Sequence, residues 1–135
     1  MTRFSLRFSA LTLLIAAAGT ISACNTGVAN PASGLHMVGT YQLVAVDGTD
    51  LPAQTDSGIF VRGSLIIGSD VKFTLSQTDS SAGTTSTFTA SGQWTVLGNN
   101  LTLIASNSSV YAATLSLSQD TVTVPVNGHT STFAK

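Results

Sequence analysis

The chain has 135 residues, of which 43% are hydrophobic and only 8% are charged, with five Lys and Arg against six acidic residues. All six acidic residues are aspartates. Binding to a phosphate backbone requires a basic surface, and five cations are too few to form one, so we expect no nucleic-acid partner. The single cysteine excludes an internal disulfide. Most zinc sites use three or four nitrogen or sulfur ligands, and His36 and His129 alone cannot supply them, so we expect neither a metal nor a cofactor.

The start of the chain has the order of a secretory signal. A positive region at residues 3–7 precedes apolar residues 11–18 and the small residues 22–23, which lie directly before Cys24. A membrane-spanning helix is the alternative, but such a helix needs roughly 20 predominantly apolar residues, and this stretch is shorter. The order therefore predicts a signal peptide at residues 1–23.

The sequence Ile21-Ser22-Ala23-Cys24 resembles the lipobox of bacterial lipoproteins. The resemblance implies cleavage before Cys24, acyl chains such as palmitate on that residue, and attachment of the protein to a membrane. One acyl chain gives only marginal, reversible binding, so the two or three chains of lipoproteins imply stable attachment. The expected location is the cell envelope, either the periplasmic face of the outer membrane or the outer leaflet of the cytoplasmic membrane.

The chain after the signal has the length of one domain. It carries three cations against six aspartates, a net charge of −3. Residues 24–36 are predicted to be the lipidated cysteine that the resemblance implies, followed by a flexible tether, because the residues after Cys24 contain Gly, Pro, Ser and Asn without periodicity. Residues 37–135 are predicted to form the folded domain, which we expect to be monomeric.

Short segments that alternate apolar and polar residues predict strands throughout this domain. The predicted strands are residues 38–46, 58–67, 71–77, 84–90, 93–97, 101–105, 110–117, 121–126 and 129–134. The connections are too short for parallel crossovers, so we expect an antiparallel up-and-down meander of about eight strands. Asn127-Gly128 is the strongest hairpin signal, and Ser91-Gly92 predicts a further turn. Pro125 cannot donate to a ladder and predicts an edge, a bulge or a barrel seam.

Three segments resemble lipocalin-like (calycin) proteins. Residues 38–41 (VGTY) resemble the opening strand of those barrels, which carries a glycine, any residue and an aromatic. Residues 91–103 resemble a strand-turn-strand of small lipocalin-like and META-type domains of bacterial lipoproteins, and residues 133–135 (FAK) fit a last strand that ends in an aromatic and a cation. The resemblance implies an all-β fold, a small lipocalin-like barrel, with Tyr41 under the Lys135 side chain at its base.

A barrel of about eight strands is either just filled by side chains or holds one small ligand, and the sequence leaves both outcomes open. The predicted inward-facing residues are Tyr41, Leu43, Phe60, Ile66, Phe73, Leu75, Phe88, Trp94, Val96, Leu101, Leu103, Tyr111, Leu115, Val122, Val124 and Phe133. If a ligand binds, Trp94, Tyr111 and Arg62 are the weak candidates for contacting it.

The sequence contains no cluster that predicts catalysis, so we expect no catalytic residue and no enzyme. The aspartates lie almost entirely at predicted turns, no Gly-x-Ser-x-Gly elbow occurs, and both histidines lie near element ends. A hydrolase would require His129 or His36 beside a serine and an aspartate in one cleft. We expect an envelope lipoprotein that binds a small apolar ligand or a protein partner. The alternative is a protease-inhibitor-like or structural envelope module that acts through its outer surface with a filled barrel.

Overall fold

Antiparallel strands make up most of residues 36–135, the part of the chain that the computed structural model describes. In chain order they are β1 (Gly39–Val46), β2 (Thr49–Asp50), β3 (Ala53–Thr55), β4 (Gly58–Ile67), β5 (Lys72–Ser81), β6 (Thr84–Leu97), β7 (Asn100–Ala105), β8 (Val110–Leu115), β9 (Thr121–Val126) and β10 (His129–Ala134). The predicted lipidation site Cys24, the predicted signal peptide and residues 24–35 of the predicted tether lie outside the described residues.

Strand β1 closes the sheet into a barrel, because it pairs with β10 on one side and with β4 on the other. From β4 to β10 each strand pairs with its neighbour in the chain, so the barrel is an eight-stranded up-and-down meander. The short strands β2 and β3 lie in the β1–β4 connection, where β2 pairs with β1 and β3 pairs with β4. This architecture confirms the predicted fold class.

The meander gives the barrel two ends. The entry end holds residues 36–38, the connections at residues 68–71, 98–99 and 116–120, and Lys135. The far end holds the β1–β4 connection at residues 47–57 and the connections at residues 82–83, 106–109 and 127–128. Of residues 36–135, no helix is long and apolar enough to cross a membrane.

Alternating side chains point into the barrel and pack as one hydrophobic cluster. The largest fully buried members are Tyr41, Phe133, Met37, Leu65, Ile67, Leu75, Leu101, Leu103, Leu115, Val46, Val122 and Val124. The prediction for Ile66 is wrong: its side chain is 44% exposed, because the neighbouring Leu65 and Ile67 take the inward positions. Phe88, Val96 and Tyr111 are only half-buried, and they pack against the cluster.

Strand β6 is continuous, and the turn predicted at Ser91-Gly92 is wrong. Gly92 pairs with Phe73 on one side and with Ala105 on the other. A Cβ atom at Gly92 would lie 2.0 Å from the Ile104 carbonyl oxygen. The glycine therefore permits a close approach of two strands and does not mark a turn.

The barrel has a seam beside Pro125. The β8–β9 ladder contains the pairs Thr114↔Thr123 and Leu115↔Val122 and goes no further toward Pro125. On its other side β9 pairs with β10 along its whole length. The missing N–H of proline explains why the ladder ends on this side.

Candidate functional site

A polar groove on the outside of the barrel contains Arg62, one of the three predicted ligand-contacting residues. Its volume is about 320 Å³. The lining residues come from β1, β4, β5 and β6 and are Gln42, Arg62, Gly63, Ser64, Ser76, Thr78 and Thr87.

Small side chains and a break in the strand register form this groove. The β4–β5 register shifts between Phe60 and Arg62, which places Arg62 opposite Thr78. Gly63 pairs with the buried Gln77 and contributes only backbone to the groove. A Cβ atom at Gly63 would lie 2.7 Å from the Ser76 carbonyl oxygen and 3.1 Å from the inward-facing Leu43 side chain. Thr78 is only 4% exposed, and its hydroxyl lies 3.1 Å from the Thr87 hydroxyl. The floor of the groove is thus made of hydroxyl groups beside a guanidinium.

The Arg62 guanidinium is available to a ligand. The ion pairs within residues 36–135 use Lys72 or His129, and Arg62 takes part in none of them. Arginine presents five N–H donors in a planar fork that suits a carboxylate or a phosphate. The neighbouring hydroxyls can both donate and accept. This combination can bind an anionic or polyhydroxylated group.

A second polar group lies at the far end, where His129 contacts two residues of the β1–β4 connection. Its Nδ1 atom lies 2.7 Å from Asp47 Oδ2, and its Nε2 atom lies 2.6 Å from Ser57 Oγ. Asp47 Oδ1 also accepts a hydrogen bond from the Thr130 backbone N–H at 2.7 Å. The Phe60 ring packs edge-on against the imidazole, with 5.4 Å between the ring centroids.

The electrostatics of this group follow from its hydrogen bonds. The Thr130 N–H, and after it the His129 side chain, hold the pKa of Asp47 below its usual value of 3.8. A further carboxylate, Asp56, lies 3.7 Å from His129 Nε2. We define Asp47, Ser57 and His129 as the rim latch, because they join β10 to the β1–β4 connection at the far end.

The rim latch contains the three residue types that a hydrolase would require. A serine, a histidine and an aspartate are in one hydrogen-bonded chain. Ser57 is otherwise bound by Thr55, whose Oγ1 accepts the Ser57 N–H at 3.3 Å and lies 3.1 Å from the Ser57 hydroxyl. The backbone donor nearest to the serine therefore already has a partner, whereas an oxyanion hole needs free donors.

The other two predicted ligand-contacting residues belong to the interior. Trp94 is 7% exposed, and its indole N–H donates to the Gly68 carbonyl at 3.0 Å. Tyr111 and Trp94 both pair with Leu103, from opposite sides, so the three side chains share the inner face. The structure thus places Trp94 and Tyr111 inside the barrel and Arg62 outside, and does not bring the three together.

Residues 36–135 contain no group of three or more His, Cys, Asp or Glu side chains that could hold a metal ion. Comparisons with models of protein families, with curated proteins and with solved structures find no match. The class that the structure defines is the closed eight-stranded antiparallel β-barrel.

Proposed function

We propose that this protein is an envelope lipoprotein whose lipocalin-like barrel is a non-enzymatic binding module that acts through its outer surface. One observation carries the proposal: the inward side chains pack as a single buried cluster, while the polar groove around Arg62 lies on the outer face. A groove with one unpaired guanidinium and several hydroxyls suits an anionic or hydroxyl-rich segment of a partner.

The interior is less suited to a ligand than the outer face. Tyr41, Leu103 and Phe133 come from different strands and are fully buried. The polar side chains of Gln77 and Ser131, which also lie inside, are hydrogen-bonded to each other. A small apolar ligand would have to separate apolar side chains that pack against one another and polar side chains that are hydrogen-bonded to one another.

The anchor follows from the first residues of the chain. The lipobox-like sequence before Cys24 supports cleavage after residue 23 and acylation of the cysteine. The mature protein would then stay at the envelope, on the periplasmic face of the outer membrane or the outer leaflet of the cytoplasmic membrane, as a monomer.

Site-specific photo-crosslinking in intact envelopes tests the use of the groove. A photoreactive amino acid replaces Thr87 in the groove or, as control, Thr95, which is exposed further along β6. We expect an adduct from position 87 that Arg62→Met abolishes, and no such adduct from position 95. Equal adducts from both positions, or an adduct indifferent to Arg62→Met, would contradict the proposal.

The interior is tested by the fluorescence of Trp94. A series of fatty acids and apolar dyes should leave the emission of Trp94 unchanged if the barrel is filled. A saturable change in Trp94 emission would instead support binding of a small apolar ligand inside the barrel.

A second candidate function is ester hydrolysis at Ser57, and the rim latch is the observation that favours it. Ser57 Oγ would pass its proton to His129 Nε2 while attacking an ester carbonyl carbon, and the leaving alkoxide would take that proton. Water would then cleave the acyl-serine by the same route. A fluorophosphonate probe decides the matter: labelling lost in Ser57→Ala and kept in Ser118→Ala supports the hydrolase, and absence of labelling rejects it.

A further inference from the structure

Two leucines at the entry end are almost fully exposed to solvent. Leu117 and Leu97 are 92% and 80% exposed, more than any other large apolar side chain of residues 36–135. Leu97 ends β6 at its hairpin with β7, and Leu117 lies in the β8–β9 connection. Val71, which is 47% exposed, lies in the β4–β5 connection at the same end. Single exposed apolar residues are ordinary, but three in or directly beside the connections at one end require a reason.

Backbone hydrogen bonds connect these three connections. The Leu115 N–H donates to the Asn99 carbonyl at 2.8 Å, which joins the end of β8, directly before the β8–β9 connection, to the β6–β7 hairpin. The Trp94 N–H donates to the Val71 carbonyl at 3.0 Å, which joins the β4–β5 connection to β6. The apolar side chains therefore project from one connected rim.

The charges of the barrel are distributed unequally between its ends. The entry end and the strand residues beside it carry two lysines and two aspartates, namely Lys72, Lys135, Asp70 and Asp120. The connections of the far end carry three aspartates, Asp47, Asp50 and Asp56, and, within the described residues, no lysine or arginine. An anionic lipid surface would repel the far end and not the entry end.

The predicted anchor leads to the entry end. Cys24 is separated by residues 25–35 from His36, which lies at that end. Even a fully extended segment of eleven residues reaches at most about 40 Å, so acyl chains on Cys24 would keep the entry end within about that distance of the bilayer.

We propose that the entry end docks on the bilayer that holds the anchor, with Leu97, Leu117 and Val71 inserted at the level of the lipid headgroups. Burial of these side chains in the interface removes apolar surface from water. Docking would fix the orientation of the barrel, with the Arg62 groove on its flank and the acidic far end directed away from the membrane. The inference rests on the lipid anchor of the proposed function.

Depth-dependent quenching on the acylated full-length protein tests this orientation. Leu97→Cys and Leu117→Cys are labelled with a bimane dye and reconstituted into vesicles of phosphatidylcholine and phosphatidylglycerol that contain a doxyl-labelled lipid. The matched control is Val110→Cys, because Val110 is also a highly exposed apolar residue, at 61%, but lies near the far end. Emission from Trp94 checks that each variant is folded.

We expect strong quenching at positions 97 and 117 and none at position 110. Equal quenching at all three positions, or quenching at none of them, overturns the docking. Mass spectrometry of the same preparation separates the two proposals: an unmodified Cys24 overturns both the anchor and the docking, whereas an acylated Cys24 with unquenched dyes overturns the docking alone.

Discussion

The ammonium group of Lys135 lies 5.0 Å from the centroid of the Tyr41 ring, so the residue after β10 covers the first aromatic residue of β1. Lys135 also donates to the His36 carbonyl. The Tyr41 hydroxyl lies 2.7 Å and 2.9 Å from the carbonyl oxygens of Met37 and Gln119. Contacts between the beginning and the end of the domain thus close its entry end, as the resemblance to lipocalin-like barrels implied.

The contact of Lys135 with Tyr41 should contribute measurably to stability. Lys135→Met keeps most of the alkyl chain and removes the charge, so we expect the free energy of unfolding to fall by about 0.5–1 kcal/mol. The matched control is Lys72→Met, because Lys72 is 71% exposed and lies 3.6 Å from Asp70, a pair of the kind that contributes little. Urea denaturation measures both variants, and equal losses would contradict a specific role for Lys135.

The hydroxyl of Tyr41 should make the protein sensitive to alkali. Burial, and after it the charge of Asp120, raises the pKa of Tyr41 from 10.0 to about 12. The unfolded chain therefore loses this proton at a lower pH than the folded protein does. The free energy of unfolding should be unaffected by this group below pH 10 and should fall as the pH rises from 10 toward 12.

Tyr41→Phe tests this linkage. At neutral pH we expect the free energy of unfolding to fall by about 1–2 kcal/mol, because the single hydroxyl proton shared between the Met37 and Gln119 carbonyls is removed. Between pH 10 and 12 the stability of this variant should fall less steeply than that of the wild type. Tyr111→Phe is the control and should keep the slope of the wild type, since Tyr41 remains in it; urea denaturation across this range measures both slopes.

The rim latch should hold the β1–β4 connection over the far end. Because the pKa of Asp47 is lowered in the folded state, its stabilising contribution is present above pH 3.8 and is lost as the pH falls through the lowered value. In Asp47→Asn the free energy of unfolding should therefore fall less steeply as the pH is lowered below 3.8 than in the wild type. Hydrogen exchange in residues 47–57 should be faster in this variant.

Asp56→Asn is the matched control for the latch, since the Asp56 side chain is 92% exposed and lies 3.7 Å from His129. Hydrogen-exchange mass spectrometry at neutral pH compares the two variants. Unchanged exchange of residues 47–57 in Asp47→Asn would show that the latch does not hold this segment.

The close approach of β6 and β7 should not tolerate a side chain at position 92. In Gly92→Ala the new methyl group would meet the Ile104 carbonyl at 2.0 Å and the Ala105 Cα atom at 2.7 Å, and both are backbone atoms. We expect the free energy of unfolding to fall by about 1–3 kcal/mol or more. The exposed neighbour Ser91→Ala should change stability by no more than about 0.5 kcal/mol, and a similar loss in both variants would contradict the steric explanation.

The fold was largely predictable from local sequence patterns, because alternation, Asn-Gly turns and short connections restrict an all-β chain to few topologies. The bounds of β4 at residues 58–67 and of β9 at residues 121–126 were predicted as the structure has them. The prediction failed at Gly92 and Ile66. A glycine that permits close packing looks like a turn residue, and two adjacent isoleucines do not show which of them faces inward.

The polar sites were harder to predict because they depend on distant parts of the chain. Ser57 and His129 are 72 positions apart, and in a chain rich in serine no pattern marks Ser57 as the one that meets a histidine. The outer groove depends on the register shift before Arg62, which the sequence does not mark. From the sequence, only the prediction of Arg62 as a candidate for contacting a ligand named a residue of this surface.

The pair of Gln77 and Ser131 inside the barrel allows a test of how the core accommodates polar groups. Their exposures are 3% and 0%, and the Gln77 amide donates to the Ser131 hydroxyl. Gln77→Leu should lower the free energy of unfolding by about 1–3 kcal/mol, because it leaves the serine hydroxyl buried without that partner. Adding Ser131→Ala should recover part of this loss, since the second change removes the unsatisfied group. Gln93→Leu, at an exposed position of β6, controls for the exchange of side chains. Urea denaturation of the two single variants and the double variant gives the coupling energy, and strictly additive losses would show that the two side chains do not depend on each other.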